Sequence, residues 1–133
     1  MSDEQIYELF LLSLCCWREA RGENLEAKRG QLWSVRNRVN RPSWWGKDWI
    51  SVILKPYQYS SFNKDDPNAT KWPSPLDSSW IACQKIAREV YDGQGPDPTA
   101  GATHYHDTSI EPPNWAGEMQ KTVQLGAFIF YRA

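Results

Sequence analysis

The feature that most constrains the fold is an apolar stretch near the N-terminus. Its large side chains recur three or four positions apart, at Ile6, Leu9, Phe10, Leu14 and Trp17. This spacing places them along one face of an α-helix. We therefore predict a buried first helix over residues 3–21, ended by Gly22, because glycine readily adopts the backbone conformation that terminates a helix.

Three later segments also have helical patterns. We predict a second helix over residues 25–39, a short one over residues 50–54 and a longer one over residues 78–93. Asp48 can cap the short helix, and Asp77 or Ser78 can cap the longer one, because a carboxylate or hydroxyl accepts the free N–H groups of a first turn.

The remaining segments lack helical periodicity. The sequence predicts an extended segment or tight hairpin at 57–62, loops at 63–75 and 111–115, a strand at 102–106, and a buried strand or final helix at 122–131. A chain of 133 residues is sufficient for one domain. We therefore expect a mainly α, α+β single domain over residues 1–133, with a small extended lobe and a cleft between the lobes.

Composition excludes some functions and leaves others open. The 15 basic and 16 acidic residues give a net charge of -1, so we expect neither nucleic-acid binding nor stable membrane association. Three cysteines, two of them adjacent, are a poor disulfide framework and are expected to be buried thiols. The 8 Trp, 6 Tyr and 4 Phe suit either core packing or a cleft lined by flat apolar faces, which fit sugar rings.

Glu19 is the most informative single residue. It lies in the last turn of the predicted first helix, where the negative end of the helix dipole disfavours a charged carboxylate. Trp17 and other nearby rings can exclude water from the carboxylate, and this desolvation also disfavours its charged form. A carboxyl group held in its acid form can protonate a leaving oxygen. Spacing alone favours the alternative, in which Glu19 pairs with Arg18 or Arg21 at a solvated helix end.

Five blocks of sequence, in the same order, resemble the SleB/CwlJ-type cell wall hydrolases. They are EARGE at 19–23, GQLWSVRNRV at 30–39, QYS at 58–60, DPTAGATHYH at 97–106, and Trp115 with the Leu-Gly pair at 125–126. Two positions depart from the family pattern. Tyr59 stands where phenylalanine is usual, and Ala127-Phe128 follow the Leu-Gly pair where histidine is frequent.

The resemblance implies a fold of the lysozyme superfamily and cleavage of peptidoglycan between N-acetylmuramic acid and N-acetylglucosamine. It implies a lytic transglycosylase, in which Glu19 first protonates the leaving oxygen and then accepts the proton of the muramoyl 6-hydroxyl. No cofactor is implied. Other residues are expected to contact the glycan strand or support the cleft: Glu23, Gln58, Tyr59, Ser60, Tyr105, His106 and Trp115.

Three alternatives stay open at this point. A hydrolytic muramidase would need a second carboxylate, for which Glu23 is a candidate. A metal-dependent amidase or peptidase could use His104 and His106, which share one face of a strand, but these are the only histidines and a third ligand has no recognisable spacing. A wall-binding module without catalysis would also explain the aromatic residues.

The N-terminus predicts where the enzyme is made. It is acidic, it lacks the pattern of a signal peptide, and its apolar run is too short to span a bilayer. We expect synthesis in the cytoplasm and action on the wall after release by another protein, as for a phage endolysin. A bacterial or prophage origin fits equally well, and we expect a monomer.

Overall fold

The computed structural model describes all 133 residues, with four α-helices followed by a three-stranded antiparallel sheet. The helices are α1 (Asp3–Ala20), α2 (Leu25–Asn40), α3 (Trp49–Leu54) and α4 (Ser78–Tyr91). The strands are β1 (His104–Asp107), β2 (Gln120–Leu125) and β3 (Phe128–Arg132), and β3 lies between the other two. Short 3₁₀ turns occupy Ser60–Phe62, Pro67–Thr70 and Asn114–Glu118.

The helix boundaries follow from local capping chemistry. Ser2 Oγ accepts a hydrogen bond from Gln5 N, and the Gln5 side chain accepts one from Ser2 N, which together form a capping box at the start of α1. Asp48 and Asp77 cap α3 and α4, as predicted. The four predicted helices are confirmed, and their ends fall within two residues of those expected. None has the length and apolarity needed to cross a bilayer.

The helices enclose the main hydrophobic core, a cluster of 18 buried residues. Leu12 of α1, Leu32 of α2 and Ile53 of α3 are completely buried within it. The three cysteines are also buried in this cluster as free thiols, as the sequence predicted. Burial raises the pKa of the Cys15 thiol far above its ordinary value, so this sulfur is an inert part of the core.

The sheet has a second, smaller core of five buried residues, Ala20, Ala27, Ala102, Phe128 and Phe130. Gly30 lets α2 approach this sheet closely. A Cβ atom at Gly30 would lie 2.8 Å from Leu125 Cδ1 and 2.9 Å from Phe130 Cζ, closer than carbon atoms normally pack. The missing side chain therefore sets the distance between the helical part and the sheet.

Two predicted segments differ in the structure. Residues 57–62 form a turn and the 3₁₀ turn Ser60–Phe62, not an extended segment or hairpin. The chain reverses because Tyr57 adopts a left-handed backbone conformation (φ 65°) directly after Pro56. Residues 122–131 form parts of two strands, not one strand or a helix, because Gly126 (φ 56°) starts a tight turn between β2 and β3.

The other irregular segments are close to expectation. The predicted strand at 102–106 begins two residues later and extends to Asp107. The predicted loops at 63–75 and 111–115 contain the turn Pro67–Thr70 and the start of Asn114–Glu118, respectively.

Candidate active site

A cavity of about 580 Å³ lies between the helical part and the sheet. That volume is within the range of sites that hold small molecules or a few sugar units. Its lining includes eight of the nine residues that the sequence singled out: Glu19, Gln58, Tyr59, Ser60, His104, Tyr105, His106 and Trp115. Glu23 is the exception, since it does not line the cavity.

Glu19 is half-buried at the penultimate position of α1 and presents its carboxylate to the cavity. Its Oε1 accepts a hydrogen bond from the Tyr105 hydroxyl (3.1 Å), and its Oε2 accepts one from the Ser61 backbone N–H (3.3 Å). Both donors are neutral, and no basic side chain lies within 4.0 Å of the carboxylate. Arg18 and Arg21, the candidate partners of a solvated glutamate, donate to other groups instead, and Arg21 binds Asn68 Oδ1 (3.2 Å).

Arg18 holds the loop that supplies the Ser61 N–H. Its guanidinium, only 7% exposed, donates to the backbone oxygens of Ala69 and Lys71 (both 3.1 Å) and lies over the rings of Phe62 and Trp72. Because Arg18 precedes Glu19 on the same helix, these contacts fix the loop relative to Glu19.

The turn after α1 is fixed in the same way. Lys28 is buried, and its ammonium donates to the backbone oxygens of Arg21 (3.1 Å) and Glu23. Arg21 is the C-cap of α1 and Glu23 lies in the turn that follows, so the Lys28 ammonium is placed at the negative end of the helix dipole, where a cation is favoured. Glu23 in turn accepts from Ala127 N (2.8 Å) in the turn between β2 and β3, so its carboxylate joins the helical part to the sheet.

Tyr105 lies on β1 and reaches Glu19 from the opposite side of the cavity. Enclosure of its hydroxyl raises the pKa of Tyr105 well above its ordinary value, and the charge of Glu19 adds to the shift. The phenol therefore stays protonated and remains a donor to Glu19.

The two histidines are neighbours of Tyr105 on β1, and both are buried. Burial, and to a smaller extent the charge of Arg38, lowers the pKa of His104 to about 4, so its ring is neutral at neutral pH. His106 uses both ring nitrogens, Nε2 with the Tyr131 hydroxyl (2.9 Å) and Nδ1 with the backbone oxygen of Asp107 (3.1 Å). No third His, Cys, Asp or Glu side chain joins them in a group suited to a metal ion.

The segment before Ser61 contributes one wall. Gln58 Oε1 accepts from Arg38 (3.1 Å), and Ser60 is exposed at the rim. Tyr59 is only 3% exposed and packs in the helical core while one side faces the cavity. On the sheet side, Trp115 lies against the His104 ring, with centroids 5.1 Å apart.

Several lining residues were not predicted. Trp44, Tyr57, Arg38 and Asp107 line the cavity, and Ser61 binds Glu19 through its backbone. Tyr57 is 83% exposed. Arg38 lies in a block that resembles the family, but nothing in its spacing indicates that its side chain faces the cavity.

The sequence and the fold of this chain are both similar to those of known proteins. A sequence model of a family described as Cell Wall Hydrolase matches residues 22–131, a segment that begins just after Glu19. No curated protein matches the chain significantly.

Two solved structures are similar to this one. The catalytic domain of the Bacillus cereus SleB protein superposes with a TM-score of 0.75 at 20% identity, over 94% of this chain and 89% of that one. The catalytic domain of the germination-specific lytic transglycosylase SleB from Bacillus anthracis gives a TM-score of 0.77 at 19% identity, over 99% and 97%. At this level of sequence identity, structural similarity shows the fold alone. It confirms the expected lysozyme-like α+β architecture.

Proposed function

Because the chain belongs to the cell wall hydrolase family and is thus a peptidoglycan-lytic enzyme, we propose that it cleaves glycan strands as a lytic transglycosylase. The family assignment confirms the resemblance to SleB/CwlJ-type enzymes found in the sequence. The bond cut is the one between N-acetylmuramic acid and N-acetylglucosamine. The observation that carries the proposal is the Glu19 carboxyl group, held at the cavity wall by two neutral donors.

Glu19 performs both proton transfers. As an acid it protonates the glycosidic oxygen, and the bond from that oxygen to C1 of the muramoyl residue breaks. The resulting carboxylate then accepts the proton of the muramoyl 6-hydroxyl, whose oxygen bonds to C1 and closes a 1,6-anhydro ring. The acid is regenerated, and no water is consumed. Tyr105 and the Ser61 N–H hold the carboxyl group in place and stabilise the charge it carries between the two steps.

The cavity wall suits a sugar polymer. Trp44, Tyr57 and Trp115 present aromatic faces, on which the apolar faces of sugar rings stack. The Gln58 amide and the Ser60 hydroxyl can bind acetamido groups. Tyr59, Tyr105 and His106 shape the wall through packed rings. Glu23 supports this wall from behind by holding Ala127.

A second candidate mechanism is hydrolysis with Asp107 as the second carboxylate. Asp107 lines the cavity two residues after Tyr105 on β1. The cavity thus holds a second carboxylate beside Glu19, as a hydrolytic mechanism requires. Glu23, the candidate second carboxylate by sequence, does not line the cavity.

Mass spectrometry of digested peptidoglycan tests the proposal. The wild type is expected to release anhydromuropeptides, and Glu19→Gln is expected to release none. Glu26→Gln is a matched control, since the Glu26 side chain is 64% exposed and lies outside the cavity. Reducing-end muramic acid, lost in Asp107→Asn, would favour hydrolysis instead. Cleaved peptide or amide bonds, or full activity in Glu19→Gln, would refute glycan cleavage by this site.

The endolysin role, the release from a phage-infected cell and the monomeric state stay predictions from the sequence.

A further inference from the structure

Arg38 is a buried cation in the cavity wall without an anionic partner. It lies on α2, is 5% exposed, and lines the cavity. The ion pairs of the protein involve Arg29 and Arg88, and no carboxylate lies within 4.0 Å of Arg38. A charged group taken out of water normally has an opposite charge beside it, because desolvation is costly. Arg38 lacks one.

The hydrogen bonds of Arg38 leave one edge of the guanidinium free. Its Nε donates to Thr103 O (2.6 Å), and its Nη1 donates to Gln58 Oε1 (3.1 Å). Its Nη2 donates to no protein atom and is not fully buried. Of the five N–H groups of a guanidinium, three therefore have no partner.

Aromatic rings pack on the guanidinium of Arg38, a residue that also lines the cavity. The Trp45 and Tyr59 rings lie 5.6 Å and 5.5 Å from the central carbon of the guanidinium, and they supply cation–π contacts. The nearby His104 ring, which also lines the cavity, adds no negative charge. The two carboxylates of the cavity, Glu19 and Asp107, are engaged by other donors.

We propose that Arg38 binds a carboxylate carried by the muramoyl residue of the substrate. This inference rests on the proposed function. N-acetylglucosamine carries no charge. The muramoyl residue carries a lactyl group, which ends either in a free carboxylate or in a stem peptide that bears carboxylates. The planar Nη1–Nη2 edge of an arginine matches the two oxygens of such a group.

The consequence is a means of selecting the bond to be cut. A glycan strand alternates two sugars with similar rings, and aromatic stacking distinguishes them poorly. A fixed cation in the same cavity as Glu19 favours the register in which the muramoyl residue lies beside the acid. Arg38 thus acts as a specificity determinant.

The first experiment changes the substrate and leaves Arg38 unchanged. Binding of soluble glycan strands is measured by calorimetry with Glu19→Gln, which does not consume them. Strands with free carboxylates are expected to bind about 10- to 100-fold more tightly than strands amidated with carbodiimide and ammonia, the range for a hydrogen bond to a charged group. Equal affinities would overturn the proposal.

A third substrate identifies which carboxylate is bound. Strands stripped of stem peptides by an amidase carry only the lactyl carboxylate. Retained affinity, lost again on amidation, assigns the site to the lactyl group. Affinity seen only with peptide-bearing strands assigns it to the stem.

Variants test whether Arg38 is the group responsible. Arg38→Gln in the Glu19→Gln background is expected to bind free and amidated strands equally, and Arg38→Lys is expected to keep part of the preference. Arg88→Gln removes an exposed arginine and serves as the control. Circular dichroism shows whether each variant folds. The amidation series leaves Arg38 unchanged, so it tests the proposal even if the Arg38 variants do not fold. A folded Arg38→Gln variant that keeps the full preference would refute the assignment.

The two proposals fail in different ways. If Glu19→Gln still cleaves glycan strands, the proposed catalytic function is wrong, and the carboxylate preference can still be read with wild-type enzyme on short, uncleaved strands. If cleavage depends on Glu19 but binding ignores carboxylates, the assignment of Arg38 alone is wrong.

Discussion

The helical part and the sheet contribute to the cavity in different ways. Glu19 projects from α1, which packs into a core of 18 buried residues and starts with a complete capping box. The sheet side consists of strands of four to six residues above a core of only five. Polar contacts join the two parts, among them Tyr105 to Glu19, Arg38 to Thr103 and Glu23 to Ala127.

This difference assigns separate tasks to the two parts. The large core fixes the position of Glu19, because moving this residue would disturb buried contacts along α1. The position of the opposite wall depends on few polar contacts and on the close approach at Gly30. Glu19→Gln, which keeps an oxygen that can accept from Tyr105, should therefore affect chemistry alone, whereas removal of a contact between the parts, as in Glu23→Ala, should affect both activity and stability.

The largest expected effect is that of Glu19→Gln. Removing the general acid should lower kcat by at least about 10³-fold, while the free energy of unfolding changes by less than about 1 kcal/mol. Turbidity loss of purified cell walls and urea unfolding measure the two quantities. A large loss of stability would contradict the separation of tasks, since Glu19 is not part of the core.

Tyr105→Phe sharpens the comparison from the sheet side. The variant keeps the ring packed against Phe128 and Phe130 but removes the donor to Glu19 Oε1. We expect kcat to fall about tenfold to thirtyfold, in line with the loss of one hydrogen bond to a charged group. Steady-state kinetics on soluble strands provide the measurement. An unchanged kcat would show that the Ser61 N–H alone positions the acid.

Glu23 tests whether the contact between the parts is structural or chemical. Glu23→Gln keeps an oxygen that accepts from Ala127 N, so activity should stay within about threefold of wild type. Glu23→Ala should lower the free energy of unfolding by about 1 to 2 kcal/mol and reduce activity with it. Thermal unfolding and wall lysis distinguish the two. Complete inactivation by Glu23→Gln would make Glu23 a catalytic carboxylate.

Acid should destabilise the sheet side through His104. The pKa of His104 in the folded protein is about 4, below the ordinary 6.5, so the unfolded chain binds more protons between these values. The stabilisation is fully present above about pH 6.5 and is lost as the pH falls toward 4. Because the ring faces a cavity that water enters, we expect a loss of at most about 2 kcal/mol. Urea unfolding at pH 7 and pH 4.5 should show a smaller difference for His104→Gln.

The smallest effect is expected at the rim, where Tyr57 belongs to neither core. Tyr57→Gly removes an exposed ring and a left-handed tyrosine, so stability should rise by about 0.5 kcal/mol while KM rises about threefold. Tyr57→Asn, which tolerates the same backbone, controls for strain. An unchanged KM in both variants would remove Tyr57 from the substrate contacts.

Much of the helical part was predictable. The periodicity of the apolar residues located α1, and the aspartates before α3 and α4 located their first turns, because both signals arise within one turn of helix. The resemblance located Glu19 and most of the wall. The turn at residues 57–62 was not predicted, because tyrosine rarely adopts the positive φ angle that Tyr57 has there. The hairpin of β2 and β3 was not predicted, because a single glycine interrupts the apolar run over residues 122–131.

The sequence by itself determined the helices, the burial of the cysteines and the placement of a glutamate at a helix end. These features depend on side-chain spacing and local capping, which act between residues a few positions apart. The tertiary structure alone decided that Glu19 meets Tyr105, that Glu23 turns away to hold Ala127, and that Arg38 stands in the cavity without an anion. Those contacts join residues 65 to 104 positions apart, so their geometry arises only when the sheet packs against the helices.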